Sequence, residues 1–548
     1  MIEEKFTAKN SRVSPSMSSQ ERRPGLSRGA GILPLALGQY TRAYTRVGRT
    51  ARVLSFSIIL AAGGFFLATI REGHAWGDDF GLYILHARNI AEGVDYQKTG
   101  YVYNPSFPEI GPITYPPIFP LMLAPVYKLF GMNLAAMKVM VILAFILALP
   151  IIFLLFRNDL PGPYLVALVV IFGFNPYFWE FKDNVVSDLP FLPIVCVSLF
   201  LIQRAYQSER VNKKRTLDVF LIGLTIYLAY GARSLGLLLI PCLWLHDLIR
   251  FRRPTTFILK ITCLAGAAIV AQNLLFHSDS SYLSSFGVGS GSYAERFQFI
   301  LSSSLNNLVV YTRALSDIWE NGYSKILRVG VFLSVSGLAI VGYLARIRDK
   351  ITHYEIFLVL YLAAIILAPI PAGTRYLFPI VPLYLFYAFC GVRAVSRREE
   401  VRGRALMVMV AVILAIYLAQ YTKLDFGPIR EGIGKSETRQ LFDYLRTNTS
   451  EDDVFIFRKP RVMALYTGRK TAAAHQPKDD RELWSYFLQI KANYLVLGPE
   501  DLDRDYYMYF KRFIGLYPDQ LREVFANTDF KVYRFTGNLE PSNQSYKR

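Results

Sequence analysis

The sequence predicts a polytopic α-helical membrane protein with a small C-terminal extracytoplasmic α/β domain. Three observations carry that expectation. Of the 548 residues 53% are hydrophobic, and the mean hydropathy is positive at +0.27. Apolar runs of about 20 residues, long enough to cross a hydrocarbon core, recur along the chain. After about residue 425 the pattern changes to short β-type runs alternating with helical ones. The formal net charge of +19 would suit nucleic acid if its basic residues formed one surface. They occur instead as short clusters between apolar runs, which marks cytoplasmic loops and excludes a nucleic-acid partner.

Residues 1–50 are rich in Ser, Arg and Gly and read as a disordered basic cytoplasmic tail, with Arg42, Arg46, Arg49 and Arg52 just before the first run. Eleven spans are expected, at 53–70, 133–156, 163–179, 186–206, 217–231, 234–249, 257–276, 326–346, 354–371, 375–395 and 404–421. Together they make a membrane domain over 51–421. Its cytoplasmic connections lie near Arg157, Arg204–Arg215, Arg250–Arg253, Arg346–Lys350 and Arg393–Arg404, where the clusters RVNKKR, RFRR, RIRDK and SRREEVRGR fall. An odd number of spans then puts the C-terminus outside. Cys196, Cys242, Cys263 and Cys390 lie in or beside apolar runs, where they act as small hydrophobes rather than as disulfide or zinc ligands.

Three outer segments remain, 71–132, 277–325 and 422–548. In the first, Phe80, Tyr83, Ile84, Ala87 and Ala91 fall on one helical face, so a helix lying along the membrane interface is expected. In the last, DDVFIFRKP, TAAAH, NYLVLG and FKVYRFTG read as strands, and 436–447, 480–491 and 501–512 as helices. The sequons at Asn448 and Asn543 fall on this side, and chance alone accounts for them.

The residues with chemical potential gather at outer membrane edges. The segment GDDFGLY puts Asp78 and Asp79 a few residues past the first span, with Tyr83 one turn on. A carboxylate there can act as a general base or help hold a divalent metal, although two acids in a wet loop are more commonly plain solvated charge. The Tyr115-Pro116-Pro117 element fixes how the chain re-enters the bilayer. WEFKDNVVSDLPFLP puts Glu180, Asp183 and Asp188 at the next outer edge, where capping alone is an adequate reason for Asp188. Arg233 in YGARSLG and Arg375 in PAGTRYLFPIVPL add two cations, and a guanidinium at membrane depth needs an anion such as a phosphate.

In order and spacing over about residues 50–400, the acidic pair with Tyr83, ARNIAEG, YPPIFP, SDLP, ARSLG and TRYLFPIVPL resemble the GT-C superfamily of integral membrane glycosyltransferases. The resemblance is greatest to the family 39 group of protein mannosyltransferases and aminoarabinose-type lipid A transferases and their bacterial relatives. It extends to the C-terminal domain through LYTGRK and NYLVLG. It implies transfer of a sugar, with inversion, from a polyprenyl-phosphate donor to an extracytoplasmic lipid, glycan or protein acceptor, with no firm cofactor. It implies Asp79 as the catalytic aspartate, with Asp78 as the alternative, and Tyr83, Tyr115, Asp188, Arg233, Arg375 and Tyr376 as substrate-binding residues. Phe80 stands where the family often carries another acid, which leaves a metal role open. The setting implied is a bacterial inner membrane, with the N-terminus cytoplasmic and the active face periplasmic.

This chemistry is coherent. A carboxylate serves the attacking hydroxyl while Arg375, with Arg233, stabilises charge on the departing phosphate, which is a good enough leaving group to need no acid. A transporter or flippase is the other reading. It would place ionisable groups near the midplane of broken helices in related halves, whereas here they sit at outer edges beside a large outer domain.

Overall fold

A computed structural model describes residues 47–207, 216–276, 293–369, 373–477 and 479–536. Most of the expected basic tail, the RVNKKR cluster and the Asn543 sequon lie outside the described residues. All eleven expected spans are helical over most of their length. Eight are long and apolar enough to cross a membrane, Arg49–Ala68, Leu134–Phe156, Asp188–Gln207, Ser234–Phe251, Thr256–Phe276, Lys325–Asp349, Thr374–Val395 and Glu399–Tyr421. The other three are shorter apolar helices, Gly162–Gly173, Thr216–Ala232 and His353–Ile366. Local chemistry shortens two of them. The expected 163–179 span breaks before Pro176, where the Asn175 side chain caps a separate helix, Pro176–Phe181, by accepting from the Tyr177 N–H at 2.9 Å. The expected 354–371 span ends at Ile366, since Pro369 bars its predecessor from helical geometry.

The first loop is covered on more sides than its apolar face alone predicts. Its helix, Asp79–Glu92, buries Phe80 and Tyr83 of the expected apolar face but also Leu82, Leu85, His86 and Asn89 around it. The helix Ile118–Phe130 packs on one side and Pro460–Thr467, from the C-terminal region, on another. Gly93 ends it in the left-handed conformation (φ 70°), which a residue without Cβ adopts at no steric cost. Gly81 has a different task. A Cβ there would come within 2.8 Å of the Arg461 carbonyl group and the Val462 nitrogen, so only glycine lets the two helices meet this closely.

The C-terminal region folds around a six-stranded sheet of order β1-β3-β2-β4-β6-β5, with β1 Tyr101–Val102, β2 Val454–Ile456, β3 Lys470–Ala472, β4 Tyr494–Leu497, β5 Leu521–Ala526 and β6 Lys531–Phe535. Four strands are those expected from the sequence. The β5 strand is an addition, and β1 comes from the first loop, pairing parallel to β3 with Tyr101 opposite Thr471. The sheet is thus completed by the loop that carries the acidic pair. Strand alternation sends Phe455 and Phe457 into the core shared with the membrane helices and Ile456 into a second core with Trp484, Phe487, Phe510 and Phe513. The expected helices are present as Ser436–Asn448, Asp480–Gln489 and Arg504–Leu516. One further helix, Pro460–Thr467, occupies residues whose first proline reads as the end of a strand; that proline instead occupies the first helical turn. All four cysteines are free, and only Cys263 is exposed.

Candidate functional site

Adjacent in sequence, Asp78 and Asp79 point into different surroundings. Asp78 closes the seam with the C-terminal region. One of its carboxylate oxygens accepts the backbone N–H groups of Arg461 and Val462, at 3.1 and 3.2 Å, and the other accepts the Arg461 Nε–H at 2.6 Å. A carboxylate on two backbone N–H groups of the first turn of Pro460–Thr467 also suits the positive end of that helix. The Arg461 side chain is only 2% exposed. Its guanidinium also donates to the Ile110 carbonyl and, at 2.5 Å, to the Tyr115 hydroxyl.

Asp79 faces the other way. One of its oxygens accepts the Tyr115 O–H at 2.7 Å and lies 3.4 Å from Arg461. The other is paired with the Arg375 guanidinium. Burial pushes this carboxyl up, but Arg375, Arg461 and the Tyr115 hydrogen bond outweigh it and hold it well below the usual carboxylate range. Asp79 is ionised and strongly held.

A second group adjoins the first. Arg233, at the break between Thr216–Ala232 and the next span, forms an ion pair of 2.5 Å with Asp188 and lies over the Tyr376 ring at 4.4 Å. Asp188 opens its helix and is buried, so its negative charge has a second role beyond the helix start. Ser187 links the groups, contacting Arg233 at 3.5 Å and the Tyr83 hydroxyl at 2.8 Å. Tyr83 in turn stacks on Tyr115, with ring centroids 4.5 Å apart. All eight expected site residues therefore lie in one connected arrangement. Glu180 and Asp183 stand outside it. Asp183 is bound by Arg71 at 2.8 Å and Lys182 at 2.7 Å.

Asp78, Asp79 and Arg375 line a cavity of about 280 Å³ together with His74, Glu109 and a basic run from the C-terminal region, Arg458, Lys459 and Arg461. Reading basic clusters only as topology signals misses that run, although FRKPR is a dense cationic motif in a segment expected outside the membrane. Arg458 is held by Asp503 at 2.5 Å. The Lys459 amine has no hydrogen bond or ion pair among the described residues, and burial keeps its pKa below the usual lysine value.

No group of three or more metal-ligating side chains occurs among the described residues. Both acids of the pair already face guanidinium groups that compensate their charge. This donor set does not fit a divalent metal.

No family model matches the chain, and no curated protein matches it. Solved structures do. The archaeal oligosaccharyltransferase AglB from Archaeoglobus fulgidus, in complex with an inhibitory peptide and a dolichol-phosphate, superposes with a TM-score of 0.54 at 12% identity, over 90% of this chain and 76% of that one. ArnT from Cupriavidus metallidurans bound to undecaprenyl phosphate gives 0.53 at 13% identity, over 90% of this chain and all (100%) of that one. Its apo state gives 0.54 at 12% identity, over 89% and 98%. The chain thus shares the overall fold of AglB and ArnT.

Proposed function

We propose that the protein is an inverting glycosyltransferase that takes a sugar from a polyprenyl-phosphate donor and passes it to an extracytoplasmic lipid, glycan or protein acceptor. The observation that carries this reading is the Asp79–Arg375 pair beside a cation-rich cavity, within a fold shared with proteins solved with dolichol-phosphate and undecaprenyl phosphate. The setting we propose is a bacterial inner membrane with this cavity on the periplasmic side.

In this reading Asp79 is the base and Arg375 its partner on the donor phosphate. The acceptor oxygen forms a bond to the anomeric carbon from one side while the bond from that carbon to the phosphate oxygen breaks on the other. The phosphate leaves with the electron pair, and the acceptor proton passes to Asp79. Configuration inverts because the displacement is single. A carboxylate held as firmly as Asp79 is a weak base, so its hold has to loosen before it works. Arg375 supplies the means. Only one of its nitrogens is engaged by Asp79, and the side chain is 31% exposed. A phosphate bound to its remaining N–H groups, and to Lys459, draws the guanidinium away from Asp79 and raises the basicity of the carboxylate. Arg233, already neutralised by Asp188, orients Tyr376 beneath Arg375. Tyr115 and Arg461 fix the direction of the Asp79 carboxylate.

The test is mass-spectrometric detection of transferred sugar with purified protein and a supplied polyprenyl-phosphate sugar. Asp79→Asn is expected to abolish transfer, by at least about a hundredfold, in a protein that still folds. Arg375→Ala is expected to harm donor use. Near-normal transfer by Asp79→Asn would remove the base assignment, and donor dependence unchanged in Arg375→Ala would remove the phosphate role. Movement of the lipid-linked sugar across vesicles with no covalent transfer would favour a transporter.

A further inference from the structure

A second cavity, of about 660 Å³, shares no lining residue with the one at Asp79. It opens where the membrane helix Leu134–Phe156 begins and the C-terminal helix Ser436–Asn448 passes over it. Its wall carries four cations, Arg71, Lys138, Arg439 and Arg446, against two acids, Glu72 and Asp443. Asp443 is taken up by Arg446. Behind the wall the imbalance deepens. Arg71, Lys138 and Lys182 all converge on the one carboxylate of Asp183, at 2.8, 3.7 and 2.7 Å, with side chains 15%, 1% and 0% exposed. The backbone carbonyls of Arg71 and Gly73, each accepting from the Lys138 amine at 2.6 Å, offset only part of that excess. Buried positive charge that outnumbers its carboxylates is costly unless an anion completes it.

The lip of the cavity is apolar. Phe130, 59% exposed, and Met132, 37% exposed, border it, and Leu134 begins the membrane helix there. From that lip a face of the helix continues outward through Ala136, Met140, Leu143 and Leu147, spaced as one helical stripe, with Leu143 and Leu147 53% and 57% exposed. A cationic bowl that continues into a lipid-facing stripe matches a charged head and a hydrocarbon tail.

We propose that this cavity binds the phosphate head of an anionic membrane phospholipid, whose acyl chain lies along the Ala136–Leu147 face. Arg439, exposed and without a side-chain partner among the described residues, closes over the phosphate from the C-terminal side, with the Arg71 and Lys138 cluster beneath. The bound lipid would tie the C-terminal region to the membrane domain at a place separate from the Asp78–Arg461 seam. This inference stands independently of the glycosyltransferase reading.

The experiment is native mass spectrometry of the full-length protein released from detergent with phosphatidylglycerol, chain-matched phosphatidylcholine or inorganic phosphate. Expected are a retained phosphatidylglycerol adduct, little phosphatidylcholine, and little displacement by millimolar phosphate. Arg439→Gln is expected to weaken phosphatidylglycerol binding about five-fold, and Arg439→Gln with Arg446→Gln further, as removal of cations from a lipid-binding surface does. Arg439 lies on an exposed helix face, and an unchanged thermal midpoint verifies that its variant is folded. Equal retention of the two lipids, or equal phosphatidylglycerol binding by folded Arg439→Gln and the parent, overturns the proposal. Inorganic phosphate that displaces phosphatidylglycerol at millimolar concentration overturns the lipid as the source of the bound phosphate. None of these readings depends on sugar transfer, so failure here leaves the Asp79 assignment intact.

Discussion

Two neighbouring aspartates divide the work between structure and chemistry, and the division is testable one residue at a time. Asp78 compensates an arginine that is 2% exposed, and removing one partner of a buried pair leaves the other charge stranded. Asp78→Asn is expected to cost about 3 kcal/mol and to lower the thermal midpoint clearly. Asp79→Asn faces a partner that is 31% exposed and reachable by water, so its midpoint is expected to move much less while transfer is lost. Equal midpoints for the two variants would show that the acids do not divide in this way. Lys459 makes a third case. In the proposed reading its unpaired ammonium meets the donor phosphate, so Lys459→Gln is expected to raise the donor KM about tenfold with kcat changed far less, measured by initial rates against donor concentration.

At the scale of elements, the contact of Asp79–Glu92 with Pro460–Thr467 decides whether loop and C-terminal region act as one body. Gly81→Ala puts a methyl 2.8 Å from backbone atoms that cannot rotate away, and overpacking of this kind costs about 1–3 kcal/mol. Hydrogen exchange is expected to rise in both helices and in β1 while the membrane helices stay protected; unchanged exchange at β1 would mean the seam is not cooperative. The membrane helices were legible in the sequence because a run of apolar residues is a local signal, and so were β2, β3, β4 and β6. The seam was not legible in the same way. Arg461 and Asp78 meet across 383 positions, β1 is only two residues long, and Pro460 carries the same signal at the end of a strand and at the start of a helix. For the same reason the burial of the loop helix beyond its apolar face was not legible, since part of that cover comes from a partner more than 300 residues away. The candidate site divides similarly. Acids and arginines at the ends of apolar runs stand out, whereas the basic run at 458–461 blends into a chain already rich in positive charge.

For the molecule as a whole, two buried histidines set how the loop responds to acid. His74 stacks on Phe80, shares a hydrogen bond of 2.8 Å with the Ala75 carbonyl through Nδ1, and accepts the Val185 N–H at 3.1 Å through Nε2. His86 does the same between the Tyr96 carbonyl at 2.9 Å and the Tyr115 N–H at 3.3 Å. Each therefore needs one protonated and one bare nitrogen, which only the neutral ring provides. Burial pushes His74 down to about 4 and His86 down to about 3. The sign follows from these values. Between pH 6.5 and the folded pKa values the unfolded chain binds more protons than the folded one, so stability is complete above about pH 6.5 and falls as the pH drops below it. Each histidine contributes a slope of up to about 1.4 kcal/mol per pH unit, so the pair reaches about 2.7 in the middle of that range. The depressed pKa of Asp79 acts only below its ordinary value of 3.8 and leaves the range from pH 7 to pH 5 alone. The midpoint of thermal unfolding is expected to fall steeply from pH 7 to pH 5, with exchange rising first in 74–115. Replacement of His74 by Gln, which keeps one donor and one acceptor but cannot take up the proton, is expected to lower that slope by up to about 1.4 kcal/mol per pH unit. A slope unchanged in His74→Gln would place the acid sensitivity elsewhere in the molecule.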